Sequence, residues 1–180
     1  MNKCLLDLDG VLANFHSHWH TFHPEYKELV PWPAGEWSIG KAHGISWEQT
    51  NVNIGMEFWI SMPWMTDGKE ILSLVEKHFG PKNICVLSSN WVAQADIAAA
   101  GKVQWIEREM PAYAHRYFLG AAKDFLAHQG VLLIDDKDSN VDKFREEGGY
   151  AFLLPRPWNR DHGKNAVLSL IDFLDNPKCT

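Results

Sequence analysis

Apolar and polar stretches along the chain fall into two kinds of segment. Short apolar runs of strand length occur at residues 3–8 (KCLLDL), 83–87 (NICVL), 131–134 (VLLI) and 150–154 (YAFLL). They are bounded by turn residues and too short for helices, so they read as buried strands. Between them, apolar residues recur at helical spacing: Ile71, Leu72, Val75 and Phe79 over residues 68–79, Ile97, Trp105 and Ile106 in the alanine-rich stretch 93–109, and Val167, Leu168, Ile171 and Leu174 over 165–174. A further helix over 138–147 runs into Gly148-Gly149, a helix stop. Continuous apolar strands alternating with helices predict a parallel sheet covered on both faces, here a Rossmann-like three-layer α/β/α sandwich.

Residues 14–66 break this rhythm. The stretch holds most of the tryptophans (Trp19, Trp32, Trp37, Trp47, Trp59, Trp64) and several prolines, with no convincing strand. It is too long for an ordinary loop. A small helical cap inserted after the first strand accounts for both its position and its composition, leaving residues 1–13 and 67–180 as the core.

The ends of the apolar runs carry the candidate chemistry. The first stops in Asp7-Leu8-Asp9-Gly10-Val11, the second in Ser88-Ser89-Asn90 and the third in Asp135-Asp136. Residues two apart in a strand point the same way, so Asp7 and Asp9 start on one face before the Asp-Gly turn re-aims the second. Taken alone, this could be a strand ending in a solvated turn. In an open parallel sheet, however, the carboxyl ends of the strands share one edge, where ligands bind. Asp7, Asp9, Ser88, Asp135 and Asp136 are therefore expected to converge. So many carboxylates in a poorly hydrated volume repel one another and require a cation. An all-oxygen set suits Mg²⁺ better than zinc. Lys123, in GAAKDFL just before the third run, could supply positive charge for an anionic substrate or be a solvated helix lysine.

Composition narrows the function classes. With 180 residues and 46% hydrophobic content, the chain can build one good core with a small elaboration. A formal net charge of −6 argues against a general binder of nucleic acid or membranes. Three scattered cysteines, Cys4, Cys85 and Cys179, suggest neither a disulfide framework nor a zinc motif, and Cys4 and Cys85 fit as small core residues. No apolar run approaches membrane-spanning length and no export signal opens the chain, so a cytoplasmic location is expected. Oligomeric state is left open, with a homodimer allowed.

Taken in order, these motifs resemble those of the haloacid dehalogenase superfamily of phosphohydrolases: Asp7-Leu8-Asp9-Gly10-Val11 the first, Ser88 the second, Lys123 the third and Asp135-Asp136 the fourth. Within it, DLDGVLANF at 7–15, the Phe58-Trp59 pair and LLIDDKDSNVDKF at 132–144 are similar to the 5'(3')-deoxyribonucleotidases. The resemblance implies that Asp7 attacks phosphorus to form an aspartyl phosphate, and that Asp9 serves as general acid and then base. It implies that Mg²⁺ is held by Asp7, the Asp9 carbonyl and Asp136, with Asp135 acting through water or a supporting hydrogen bond. Ser88, Ser89 and Lys123 would hold the phosphoryl oxygens. It also implies a base slot of Phe15, Phe58, Trp59 and Trp91 with Lys102 near the substrate, although any of these aromatics could simply be cap core. Lys137 stands where close relatives often have arginine, and lysine cannot make a planar bidentate contact.

His16, His18, His20 and His23 form an H-x-H-x-H-x-x-H cluster. Its spacing is ligand-like for zinc on a helix, but no local set completes it, and solvent-facing or substrate-gating histidines are the preferred reading. The expected activity is Mg²⁺-dependent hydrolysis of nucleoside monophosphates. The competing readings are a phosphatase for another small ester such as a sugar phosphate, and a non-catalytic nucleotide-binding protein.

Overall fold

The computed structural model describes residues 1–176; Cys179 lies outside the described residues. The sheet is parallel throughout, in the order β3-β2-β1-β4-β5, with β1 Lys3–Leu6, β2 Ile84–Ser88, β3 Tyr117–Leu119, β4 Val131–Asp135 and β5 Tyr150–Leu153. Central strands are buried on both faces, which is why β1 and β4 read as unbroken apolar runs: β4 is buried at every position. Successive side chains nonetheless go to opposite faces. Cys4, Leu6, Val86, Leu132 and Ile134 join one apolar cluster, while Leu5, Leu87 and Leu133 join the other.

The helices are α1 Phe15–Phe22, α2 Ile39–His43, α3 Trp47–Thr50, α4 Met56–Ser61, α5 Gly68–Phe79, α6 Ala95–Glu109, α7 Asp138–Glu146 and α8 Ala166–Asp175. Ile71 and Val75 of α5, Trp105 and Ile106 of α6, and Leu170 and Leu174 of α8 pack on the larger face of the sheet. Val141 and Phe144 of α7 cover the other. The layers are those expected of a Rossmann-like α/β/α sandwich. The first apolar run pairs as a strand only to Leu6, because Leu8 already closes a turn by accepting from Leu12 N and Ala13 N. Strand β3, Tyr117–Leu119, is absent from the apolar-run reading. It is an edge strand of three residues with Phe118 half exposed, and edge strands of this kind are short and carry little pattern.

The segment between β1 and α5 contains α1 to α4 and, among the described residues, no named strand. Its two ends run side by side: Asn14 N donates to Pro63 O at 2.8 Å, Met65 N to Leu12 O at 2.7 Å, and Ala13 bridges Trp64. The Asn14 side chain caps α1 by accepting from Ser17 N at 3.2 Å, starting a helix directly after the first motif. The segment's apolar residues Trp19, Ile54, Phe58 and Trp59 belong to the same cluster as β1. Helix α4 lies so close to α6 that a Cβ at Gly101 would fall well inside contact with the Trp59 side chain. No helix among the described residues is long and apolar enough to cross a membrane.

Candidate active site

The strand order reverses at β1: the chain runs outward through β2 and β3, then returns to place β4 on the other side. Ligands of open α/β sheets bind outside the carboxyl ends at such a switch point. The β1–β4 ladder continues one step past β1, with Asp7 N donating to Ile134 O at 3.0 Å, so Asp7 and Asp135 come from adjacent strand ends. One carboxylate oxygen each from Asp7, Asp135 and Asp136 lies within 4.8 Å of the others, and all three residues are buried. Such an all-oxygen donor set fits a hard divalent cation.

Lys123 reaches this cluster from the 3₁₀ turn Lys123–Leu126. It is 2% exposed, which corrects the solvated-lysine alternative, and its Nζ lies 2.7 Å from Asp7 Oδ1 and 2.6 Å from Asp135 Oδ2. Burial lowers the ammonium's pKa, but Asp135 and Asp7 more than offset this and raise it overall. One lysine faces three carboxylates, and the deficit appears at Asp7 and Asp136. Burial, and then Asp135, pushes the Asp7 carboxyl well above its usual range despite the opposing charge of Lys123. Burial and Asp135 likewise raise Asp136 to about 7, against a hydrogen bond from Trp158 and the charges of Lys123 and Arg156. A cation is the group that would offset the crowded negative charge and favour the ionised forms of Asp7 and Asp136.

Asp135 is already saturated: Oδ1 accepts from Lys137 N at 2.9 Å, Oδ2 from Lys123 Nζ, and Asn140 Nδ2 lies 3.1 Å from both oxygens. On Asp7, the hydrogen bonds from Leu8 N and Lys123 Nζ both fall on Oδ1.

Asp9 takes a different set of partners. Gly10, at φ +79°, turns the chain after it, and a Cβ there would collide with Asp136 Oδ2 and crowd Trp158, so only glycine fits. Asp9 Oδ2 pairs with Lys102 Nζ and lies 3.4 Å from Ser88 Oγ, while Oδ1 is buried without a partner. Lys102 is fully buried, and its Nζ also donates to Ser88 Oγ at 3.0 Å and Ser89 O at 2.6 Å.

A cavity of about 580 Å³ opens above these groups. Of the residues singled out from the sequence, Asp7, Asp9, Asp136, Lys123, Lys137, Ser89, Phe15, His16 and Trp91 border it. Ser88, Asp135 and Lys102 lie beneath the first layer. Phe58 and Trp59, expected in the base slot, are fully buried and do not line the cavity. They back Phe15 instead, with ring centroids 5.4 and 5.8 Å away, because α4 packs its aromatic face against α6. Trp91 adopts φ +45°, costly for a bulky residue, stacks on Trp47 at 5.3 Å and donates to Asn51 Oδ1 at 2.5 Å, tying the loop after β2 to α3.

Three contributions were not anticipated. Trp37, Ile39, Lys41 and Ile45 complete the cavity from the α2 region. Trp158 Nε1 donates to Asp136 Oδ2 at 2.5 Å, and Arg156 holds Gly10 O at 2.6 Å and Asp67 through both terminal nitrogens. Trp158 and Arg156 follow β5, so the strand-end rule applied to the first three runs would have reached them. The histidine cluster is also not solvent-facing as expected: His16, His18 and His23 are buried. His18 Nε2 bonds to Phe58 O at 3.1 Å, and His20 Nε2 lies 3.0 Å from His43 Nε2.

A five-stranded parallel sheet with acidic residues at its switch point defines an α/β fold of the haloacid dehalogenase type. A solved dehalogenase superposes with a TM-score of 0.51 over 92% of this chain and 90% of its own, at 11% identity, which speaks to the fold alone. The chain belongs to the family described as 5' nucleotidase, deoxy (Pyrimidine), cytosolic type C, whose sequence profile matches residues 2–169. That family is one of 5'(3')-deoxyribonucleotidases, so the chain is a phosphoric monoester hydrolase. No individual curated protein matches the sequence significantly.

Proposed function

We propose that this enzyme is a Mg²⁺-dependent phosphatase of nucleoside monophosphates, deoxyribonucleotides foremost, with Asp7 as the nucleophile. The observation that carries the reading is the convergence of Asp7, Asp136 and Lys123 at the floor of a cavity whose walls include Phe15, Trp37, Trp47 and Trp91. A planar base fits such walls, with stacking worth about 1–3 kcal/mol per base, while the phosphate meets the charged floor.

Asp7 attacks phosphorus through the oxygen left free by the hydrogen bonds on Oδ1, and the leaving oxygen departs from the opposite side. Asp9 gives that oxygen a proton and later takes one from the attacking water. Lys102 and Ser88 both engage Oδ2, which fixes the orientation of the carboxyl. Lys123 and Ser89 hold the phosphoryl oxygens, where positioning and charge neutralisation provide most of the acceleration. Asp7, the Asp9 carbonyl and Asp136 would hold Mg²⁺, which when bound would supply the positive charge that the three carboxylates lack and that the phosphoryl group needs. Asp135, already saturated, orients Lys123.

Phosphate release from a panel of nucleoside and sugar monophosphates with Mg²⁺ tests the reading. Deoxynucleoside monophosphates should be turned over best, and Asp7→Asn should abolish the activity while leaving the fold intact. Preference for sugar phosphates would refute the substrate class, and hydrolysis retained by Asp7→Asn would refute the nucleophile.

A further inference from the structure

The loop that follows β5 reaches two acids that come from different strands. Asn159 is fully buried and uses all of its hydrogen-bonding capacity: Nδ2 donates to Asp136 O and Leu154 O, both at 2.8 Å, while Oδ1 accepts from Arg156 N at 3.3 Å and Asp161 N at 3.0 Å. Its neighbour Trp158 donates to Asp136 Oδ2. One loop, braced internally by Asn159, therefore fixes Asp136 through both its backbone and its carboxylate.

Arg156 is the other arm of that loop. It is 6% exposed, and it donates from Nε to Gly10 O at 2.6 Å and from Nη2 to Val11 O at 3.2 Å. These are the two carbonyls directly after Asp9. The turn closes on itself through its N–H groups, with Leu12 N and Ala13 N donating to Leu8 O and Gly10 N to Ala13 O, all at 2.8 Å. Its Gly10 and Val11 carbonyls are left to Arg156, since buried backbone groups must find a partner. The guanidinium charge is met by Asp67, Nη1 to Oδ2 at 2.6 Å and Nη2 to Oδ1 at 2.9 Å, at the N-cap of α5. A planar fork spans all of these acceptors at once, which a single ammonium on a flexible stem does not. A Cβ on Gly10 would already collide with Asp136 Oδ2, so a small shift of the turn changes directly how the Asp9 backbone sits against Asp136.

We propose that Arg156 is a positioning residue: anchored in the loop that holds Asp136, it fixes the turn after Asp9 and so sets the geometry that the two acids offer to Mg²⁺ and the phosphoryl group. This rests on the Mg²⁺-dependent reading above. The test compares Arg156→Met and Arg156→Lys with the wild type and with Leu170→Ala, a destabilising control buried on α8 outside the cavity lining. All are full chains, held at a temperature where circular dichroism shows each to be folded. Calorimetry with Mg²⁺ alone reads the affinity, and turnover of deoxyuridine monophosphate reads kcat and KM separately. In Arg156→Met the Mg²⁺ affinity should fall about tenfold and kcat by about 10–100-fold, the range for a residue that orients metal ligands, with the loss in kcat exceeding any change in KM. Arg156→Lys keeps the charge beside Asp67 but not the fork, so it should fall between wild type and Arg156→Met; it decides the matter alone if Arg156→Met does not fold. Leu170→Ala should lose melting temperature and keep both Mg²⁺ affinity and kcat. Unchanged Mg²⁺ affinity and kcat in the folded Arg156 variants, or an equal loss in Leu170→Ala, would overturn the role of Arg156 and leave the phosphatase reading standing. If the wild type neither binds Mg²⁺ nor hydrolyses the nucleotide, both fall.

Discussion

Replacing Lys102 with methionine removes a buried ammonium while nearly preserving side-chain volume. The wild-type Nζ is fully buried and spends its three protons on Asp9 Oδ2, Ser88 Oγ and Ser89 O. Lys102→Met strands all three acceptors at once. Breaking a buried pair by removing one partner costs about 3–5 kcal/mol. The Asp9 side chain is 22% exposed, so water recovers some of this and the lower end, about 3 kcal/mol, is the better figure. For a chain of this length each kcal/mol moves the melting temperature by roughly 2–4 °C, giving a drop of about 6–12 °C. Adding Asp9→Asn removes the stranded charge, so the double variant should regain more than half of the loss, and the cycle isolates the coupling between the two side chains. Thermal and urea unfolding of the four proteins measure it. A loss below about 1 kcal/mol in Lys102→Met, or no recovery in the double variant, would show that the pair does not organise the site.

Three further outcomes follow from the geometry. In Gly101→Ala the new methyl meets the Trp59 side chain between α4 and α6; overpacking of about 1–3 kcal/mol should exceed the gain of about 1 kcal/mol in helix propensity, and urea unfolding would register a net loss, whereas a gain would mean that the helices part freely. Because Asp136 is raised to about 7, the metal-free fold binds more protons than the unfolded chain, and its melting temperature should fall as pH rises from about 4 to about 7; Mg²⁺ should stabilise more at the top of that range than at the bottom, and equal stabilisation at both ends would count against proton displacement by the cation. Trp158→Phe deletes the N–H that favours ionised Asp136 while keeping an aromatic ring in place, so calorimetric Mg²⁺ affinity at neutral pH should drop about tenfold, the value of one hydrogen bond to a charged group; unchanged affinity would remove Trp158 from the metal site's support.

Much of the fold was legible because a doubly covered parallel sheet writes itself as unbroken apolar runs. VLLI and its neighbours could be found without their partners, and the strand-end rule then gathered Asp7, Ser88 and Asp135 onto one edge. Tyr117–Leu119 was not legible, since an edge strand of three residues needs no apolar run. Within the site, the carboxylates were visible as residue types, but their division was not: Asp7 with Lys123, and Asp9 with Lys102, is decided by the turn at Gly10. The cap was the least readable part. Phe58-Trp59 and Trp37 look alike in a tryptophan-rich stretch, and only packing against α6 decides that the pair is buried while Trp37 faces the cavity.

The central claim is that Asp7 accepts the phosphoryl group. Rapid acid quenching of the wild-type enzyme during turnover of phosphate-labelled deoxyuridine monophosphate with Mg²⁺, followed by peptide analysis, tests it directly. The account predicts a hydroxylamine-labile phosphate on the peptide containing Asp7, absent from Asp7→Asn; steady turnover with no labelled peptide, or label on any other residue, would contradict it.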